Sequence, residues 1–217
     1  MRNLADRALS RRHVLGSALA VAACATAGRG FAATTLPAAP LLSRNPVDPA
    51  LLKRALAALE SHGRRIPWRD RIAIADFSAP SSQPRFHLID LLSGRATSLL
   101  VAHGSGSDPG HTGWLQQFSN TPGSNASSAG AFLTSNYYVG KHGRSQRLIG
   151  LDRSNDNALD RAIVIHGAWY AAPEMVATQG MLGRSQGCFA VGERVLDEVF
   201  ARLGEGRMIY ADKIVAA

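Results

Sequence analysis

Ala162-Ile163-Val164-Ile165-His166-Gly167 is a short apolar run, rich in β-branched residues, that stops on a histidine and a glycine. It reads as a strand over 161–165 with His166 at its end. A strand end facing a cleft is a rigid place from which to present a reactive side chain. Further on, Gly183-Arg184-Ser185-Gln186-Gly187-Cys188-Phe189-Ala190-Val191 brackets a polar run with glycines and ends it on a cysteine. Glycine freedom lets backbone N–H groups turn toward one point, as stabilisation of an oxyanion requires. A free thiol is mostly protonated at neutral pH, and a neighbouring imidazole can take its proton and hold a thiolate–imidazolium pair. His166 precedes Cys188 by 22 residues, enough for a loop to return and bring the two together. Each residue also has a plain structural reading: a small buried thiol for Cys188, a hydrogen-bonded histidine for His166.

Working outward, most of the remaining pattern is strand. Residues 71–77 alternate with period two, and 86–91 and 96–102 flank Ser93-Gly94 as a hairpin. Residues 132–139, 147–151 and 208–210 read as further strands, and 193–203 as a helix with Val195, Leu196, Val199 and Phe200 on one face. Residues 119–130 form a long polar loop, of a length often tied to function. Upstream, Asp48 is a candidate N-cap with Pro49 at the first helical position. Leu51, Leu52, Ala55, Leu56 and Leu59 share a face, giving a helix over 48–63 after a linker at 33–47.

The N-terminus reads as an address. Arg11-Arg12 with Leu15 and the apolar run 14–23 resembles a twin-arginine signal peptide ending near residue 32, too short to span a membrane. Val21-Ala22-Ala23-Cys24 offers a lipobox as the alternative, with a lipid anchor on Cys24. Either way Cys188 is the one thiol left free in an oxidising compartment, with no disulfide partner. The net charge is +8; residues 1–32 hold five arginines against one aspartate, so their removal leaves +4. A mildly basic protein suits an anionic polymer such as peptidoglycan. No basic cluster interleaved with aromatics marks a nucleic-acid binder.

The two stretches together resemble the L,D-transpeptidase (YkuD-type) signature, a His-Gly, a spacer and a Ser/Thr-His-Gly-Cys. The fit is better with the murein L,D-transpeptidase catalytic domain family, whose blocks are similar to Phe118–Ser124, Tyr138–Gly143, Leu148–Leu151, Asn155–Ala158 and Arg161–Ala168. The resemblance covers roughly residues 70–212. It implies a mainly β, YkuD-like sandwich or barrel with a few short helices over 64–217. It implies no cofactor and no metal, a peptidoglycan stem peptide as partner, and a monomer. Cys188 would attack the diaminopimelate(3)–D-Ala(4) carbonyl. His166 would be the base and the Gly167 carbonyl its orienter, in place of an acidic triad member. Backbone N–H groups of Gly187 and Cys188 would form the oxyanion hole. The acceptor would give a 3–3 or 1–3 cross-link. This chain departs from the commoner signature in carrying Gln186 where histidine stands; Gln186 would donate into the oxyanion site or do nothing.

Arg184 and Arg161 are candidates to grip substrate carboxylates. Ser185, Tyr138, His142 and Tyr170 are candidates to line the cleft. Three rival readings stay open: an L,D-carboxypeptidase cutting the same bond, a non-catalytic wall-binding domain, and a zinc peptidase using His103, Asp108 and His111, with His142 as a further ligand.

Overall fold

A computed structural model describes residues 46–214. The signal-peptide and lipobox readings, with most of the linker, fall outside them. Eight strands form one mixed sheet: β1 (Arg71–Asp76), β2 (Phe86–Asp90), β3 (Ala96–Leu99), β4 (Gly130–Gly140), β5 (Gly143–Gly150), β6 (Val164–Gly167), β7 (Phe189–Val191) and β8 (Met208–Asp212). Their spatial order is β3-β2-β1-β8-β4-β5-β6-β7. The expectation of a mainly β domain with a few short helices holds, the sheet being one mixed eight-stranded layer. Three helices accompany it: α1 (Pro49–Ser61), α2 (Pro173–Gln179) and α3 (Leu196–Leu203). Among the described residues no helix is long and apolar enough to cross a membrane.

Alternation along the strands divides the core. Ala73 and Ala75 of β1 join Phe132, Leu148, Ile165, Phe189, Val191 and the apolar stripe of α3 on one face. Ile72 and Ile74 point the other way, onto Leu51, Leu52, Ala55 and Leu59 of α1. That opposition follows from the period of two in a strand. The helix starts as its sequence dictates: the Asp48 carboxylate accepts the N–H of Ala50 at 2.7 Å and of Leu51 at 3.3 Å, satisfying two donors that no turn precedes.

Several boundaries differ from the sequence reading. β5 begins at Gly143, so β4 and β5 make a hairpin closed by Lys141-His142. The pattern missed it because the exposed end of this ribbon has no core to face. β6 begins at Val164, not at Arg161; Arg161 and Ala162 lie in the preceding turn, where Ala162 has φ +54°. His166 therefore stands inside the strand rather than beyond it. β7 and α2 were also not read, being three and seven residues long, too short for periodicity to register.

Candidate active site

The ladder that joins β6 to β7 sets the two candidate residues on neighbouring strands. The strands are parallel with Ile165 opposite Phe189 and His166 opposite Ala190. Ile165, Phe189 and Val191 enter the main core, so His166 and Cys188 project from the opposite face. Phe189 fixes the register from below, with its ring 5.3 Å from that of Phe132, 6.3 Å from Phe86 and 6.4 Å from Phe77. The same row continues outward: His166 pairs with Ser145, and Ser145 with Tyr138.

Both reactive groups are buried, Cys188 with 8% of its surface exposed and His166 with 1%. His166 Nδ1 lies 2.9 Å from the Gly167 carbonyl oxygen. A carbonyl only accepts, so Nδ1 carries the proton and Nε2 keeps its lone pair. The ring stacks on His142 at 4.3 Å between centroids. Burial lowers the His166 pKa against the raising effect of the Gly167 bond, and His142 and Lys141 lower it further. Burial raises that of Cys188, against the Val164 N–H and the charges of Lys141 and Arg161. Both shifts favour a neutral thiol beside a neutral imidazole. A dry site penalises both charges, which works against the thiolate–imidazolium pair anticipated from the sequence. The thiol itself is 3.6 Å from the carbonyl oxygen of Ala162, which the positive-φ turn aims at it.

The loop that carries Cys188 is closed by its own serine. Ser185 Oγ donates to the Cys188 carbonyl at 2.8 Å and accepts the Gly187 N–H at 3.1 Å. That N–H, expected to face an oxyanion, is turned into the loop instead. Gly187 has φ +109°, and a Cβ there would stand 2.6 Å from the Ala126 carbonyl oxygen. Glycine is required on both counts. The Gln186 side chain is exposed.

Two segments wall this loop. On one side, Ser185 N–H donates to the His103 carbonyl and Ser105 N–H to the Ser185 carbonyl, at 2.9 and 2.8 Å. Behind them Arg85, fully buried, puts one Nη 2.7 Å from His103 Nδ1, and His103 Nε2 lies 3.4 Å from Asp108. Arginine only donates, so His103 accepts at Nδ1 and donates from Nε2. On the other side runs the polar segment 119–128, held by Arg161. One Nη of Arg161 donates to the Ser119 carbonyl (2.8 Å) and Ser128 Oγ (2.7 Å), the other to the Ala126 carbonyl (2.5 Å) and Ser124 Oγ (3.3 Å).

Of the two arginines expected to grip substrate carboxylates, Arg161 engages both Nη groups with the protein itself. Arg184 likewise donates to the carbonyls of Asp108 and Pro109. Tyr138 is half-buried under the Arg147 guanidinium, 4.2 Å from its ring centre. Tyr170 packs against a small apolar cluster that includes Ala190 and Leu182. Burial pushes its phenol up to about 12, and a negative charge on Cys188 acts in the same direction. The zinc reading is overturned. His103 has a guanidinium where a cation would bind, His111 bonds the Leu182 carbonyl, and His142 lies against His166. Among the described residues no three His, Cys, Asp or Glu side chains converge. Sequence reasoning missed Arg85 and the Ala162 carbonyl. Nothing local marks either, since one is a lone arginine and the other a backbone atom.

Fold and site define a mainly β domain that sets one cysteine and one carbonyl-oriented histidine on the same face of a sheet. The chain belongs to the L,D-transpeptidase catalytic domain family, whose model matches residues 43–211. Similar solved structures include an L,D-transpeptidase from Mycobacterium smegmatis (12% identity, TM-score 0.40, covering 66% of this chain and 58% of that one). L,D-transpeptidase 3 from Mycobacterium tuberculosis, in complex with a faropenem-derived adduct, is 11% identical with a TM-score of 0.42, over 66% of this chain and 60% of the other. The helical cell shape determining protein Pgp2 (K307A mutant) from Campylobacter jejuni is 10% identical with a TM-score of 0.45, over 78% and 58%. The chain spans about three fifths of the length of these structures. No curated protein matches it.

Proposed function

We propose that the protein is an exported peptidoglycan L,D-transpeptidase in which Cys188 is the nucleophile and His166 the base. The reading rests on one observation: the two share a face of the β6–β7 pair, and His166 is held by Gly167 in the tautomer that leaves Nε2 free. From a neutral resting pair, His166 takes the thiol proton as sulfur attacks the diaminopimelate(3) carbonyl. The C–N bond to D-Ala(4) breaks, and the proton passes from His166 to the departing nitrogen, leaving a thioester. An acceptor amine then attacks, its proton is taken by His166, and sulfur leaves with that proton restored. The new amide is the cross-link, 3–3 or 1–3.

Gly187 N–H is engaged by Ser185, so the oxyanion falls to the Cys188 N–H and to the Gln186 carboxamide, which is exposed and able to swing. His142, Tyr138 and Tyr170 line the approach, and Arg184, with its remaining donors, suits a stem carboxylate. Purified protein given tetrapeptide muropeptides is expected to release D-Ala and yield cross-linked dimers by mass spectrometry. Tripeptides alone would make it a carboxypeptidase. Turnover that persists in Cys188→Ala would sink Cys188 as the nucleophile, and a parent protein that binds muropeptides without turning them over would be a wall-binding domain.

A further inference from the structure

The guanidinium of Arg161 differs from those arginines of this protein that meet carboxylates. Arg207 bonds both oxygens of Asp70, and Arg54 meets Asp212. Arg161 makes four bonds, two to carbonyls and two to serine hydroxyls, and among the described residues no Asp or Glu acts on it. Carbonyls and hydroxyls satisfy its protons but do not neutralise its charge. That charge is held against the nucleophile loop. An ideal Cβ on Gly187 would lie 3.2 Å from Arg161 Nη2, and the residue that follows Arg161 supplies the carbonyl bonded by the thiol.

We propose that Arg161 is a positioning residue for Cys188: it ties the 119–128 segment to the back of the Gly187-Cys188 turn and keeps an unneutralised positive charge beside the sulfur. Such a cation offsets the cost of burial whenever the sulfur carries negative charge, as it does during attack and again when the thioester breaks. A carboxylate partner in the same place would cancel the effect, and the partners present are all neutral. The titratable and charged groups that act on the thiol or share its face of the sheet are Lys141 from the β4–β5 hairpin, His166 from β6, Tyr170 beyond β6, and Arg161 before it. Lys141 is exposed at a hairpin tip, so solvent screens it more than the partly buried Arg161.

The inference rests on Cys188 being the nucleophile, and its test does not depend on turnover. The full chain is alkylated with iodoacetamide across a pH series, and modification of Cys188 is followed by intact mass. Arg161→Gln is expected to raise the midpoint of alkylation by about one pH unit. Arg161→Lys keeps the charge and should stay within a few tenths of the parent. Ser124→Asp sets a carboxylate against the guanidinium without cutting its other three bonds, and should raise the midpoint in the same direction. Should Arg161→Gln fail to fold, shown by circular dichroism, the Ser124→Asp result decides alone. Unmoved midpoints in the folded variants would overturn the proposal, even where Cys188→Ala has lost cross-linking and so upheld the catalytic reading.

Discussion

The two walls of the loop that carries Cys188 are built differently. The 103–113 wall is backed by a charged chain, Arg85 to His103 to Asp108, all three fully or almost fully buried. Asp108 stays below the usual carboxylate range. Burial works against its ionisation, but the N–H groups of Thr112 and Gly113, the Thr112 hydroxyl and His103 outweigh it. The 119–128 wall has no acidic anchor for its arginine and relies on carbonyls and hydroxyls. A buried chain with a titratable middle is rigid but vulnerable to acid; a fork of neutral acceptors is insensitive to pH and leaves its charge available.

The most disruptive single change strikes both walls at once. Gly104 sits where they meet, and a Cβ there would lie 2.2 Å from the Asn125 carbonyl oxygen and 2.8 Å from Gly187 N. Gly104→Ala is expected to cost upwards of about 3 kcal/mol by chemical denaturation and to abolish activity, since backbone on both sides must move. Next comes Arg85→Met. It strands His103 Nδ1 and the carbonyls of Val101 and Ala79, with an expected loss of about 3 kcal/mol. Arg161→Gln, on the half-exposed wall, should lose roughly 1–2 kcal/mol by the same measurement. A larger loss there than at Arg85 would invert the comparison.

The walls should also part in acid. Burial, then the charge of Arg85, lowers the His103 pKa to about 4. The unfolded chain binds that proton more readily, so stability contributed by neutral His103 is complete above about 6.5 and is lost as pH falls from there toward 4. His87 and His166 are lowered too and act in the same sense. Thermal melts between pH 4 and 6.5 should therefore show a shallower slope in His103→Gln than in the parent, by about one proton, and an unchanged slope would refute the assignment. The smallest effect on stability is expected at Gln186. Gln186→Ala should leave the melting temperature within error, as exposed substitutions do, yet reduce kcat about tenfold or more if the carboxamide meets the oxyanion.

Much of this was legible along the chain. The α1 cap at Asp48, the β1 alternation and the β2–β3 hairpin each depend on neighbours within a few residues, so local pattern suffices. His166 and Cys188 stood out because a lone thiol after a glycine loop, and a histidine closing an apolar run, are chemically conspicuous. Their placement on one face was not legible, because the parallel pairing of β6 with a three-residue β7 is a long-range choice with no sequence period of its own. Nor was the work of the polar segment 119–128. Its serines read as a generic loop, and only folding shows Ser119, Ser124 and Ser128 converging on one guanidinium.

Sequence by itself determined which groups could do chemistry here: a thiol after a glycine-rich loop, one imidazole ahead of a glycine, and glycines where the backbone must turn. Tertiary structure decided the state in which they rest. Burial weighs against charge on both thiol and imidazole, Ser185 claims the Gly187 N–H, and Arg161 is turned from a surface charge into a brace. The physical reason is that reactivity belongs to functional groups, which a sequence names outright. Charge, tautomer and free donors depend on solvent exclusion and on partners far away in the chain, which exist only once the sheet has closed around the loop.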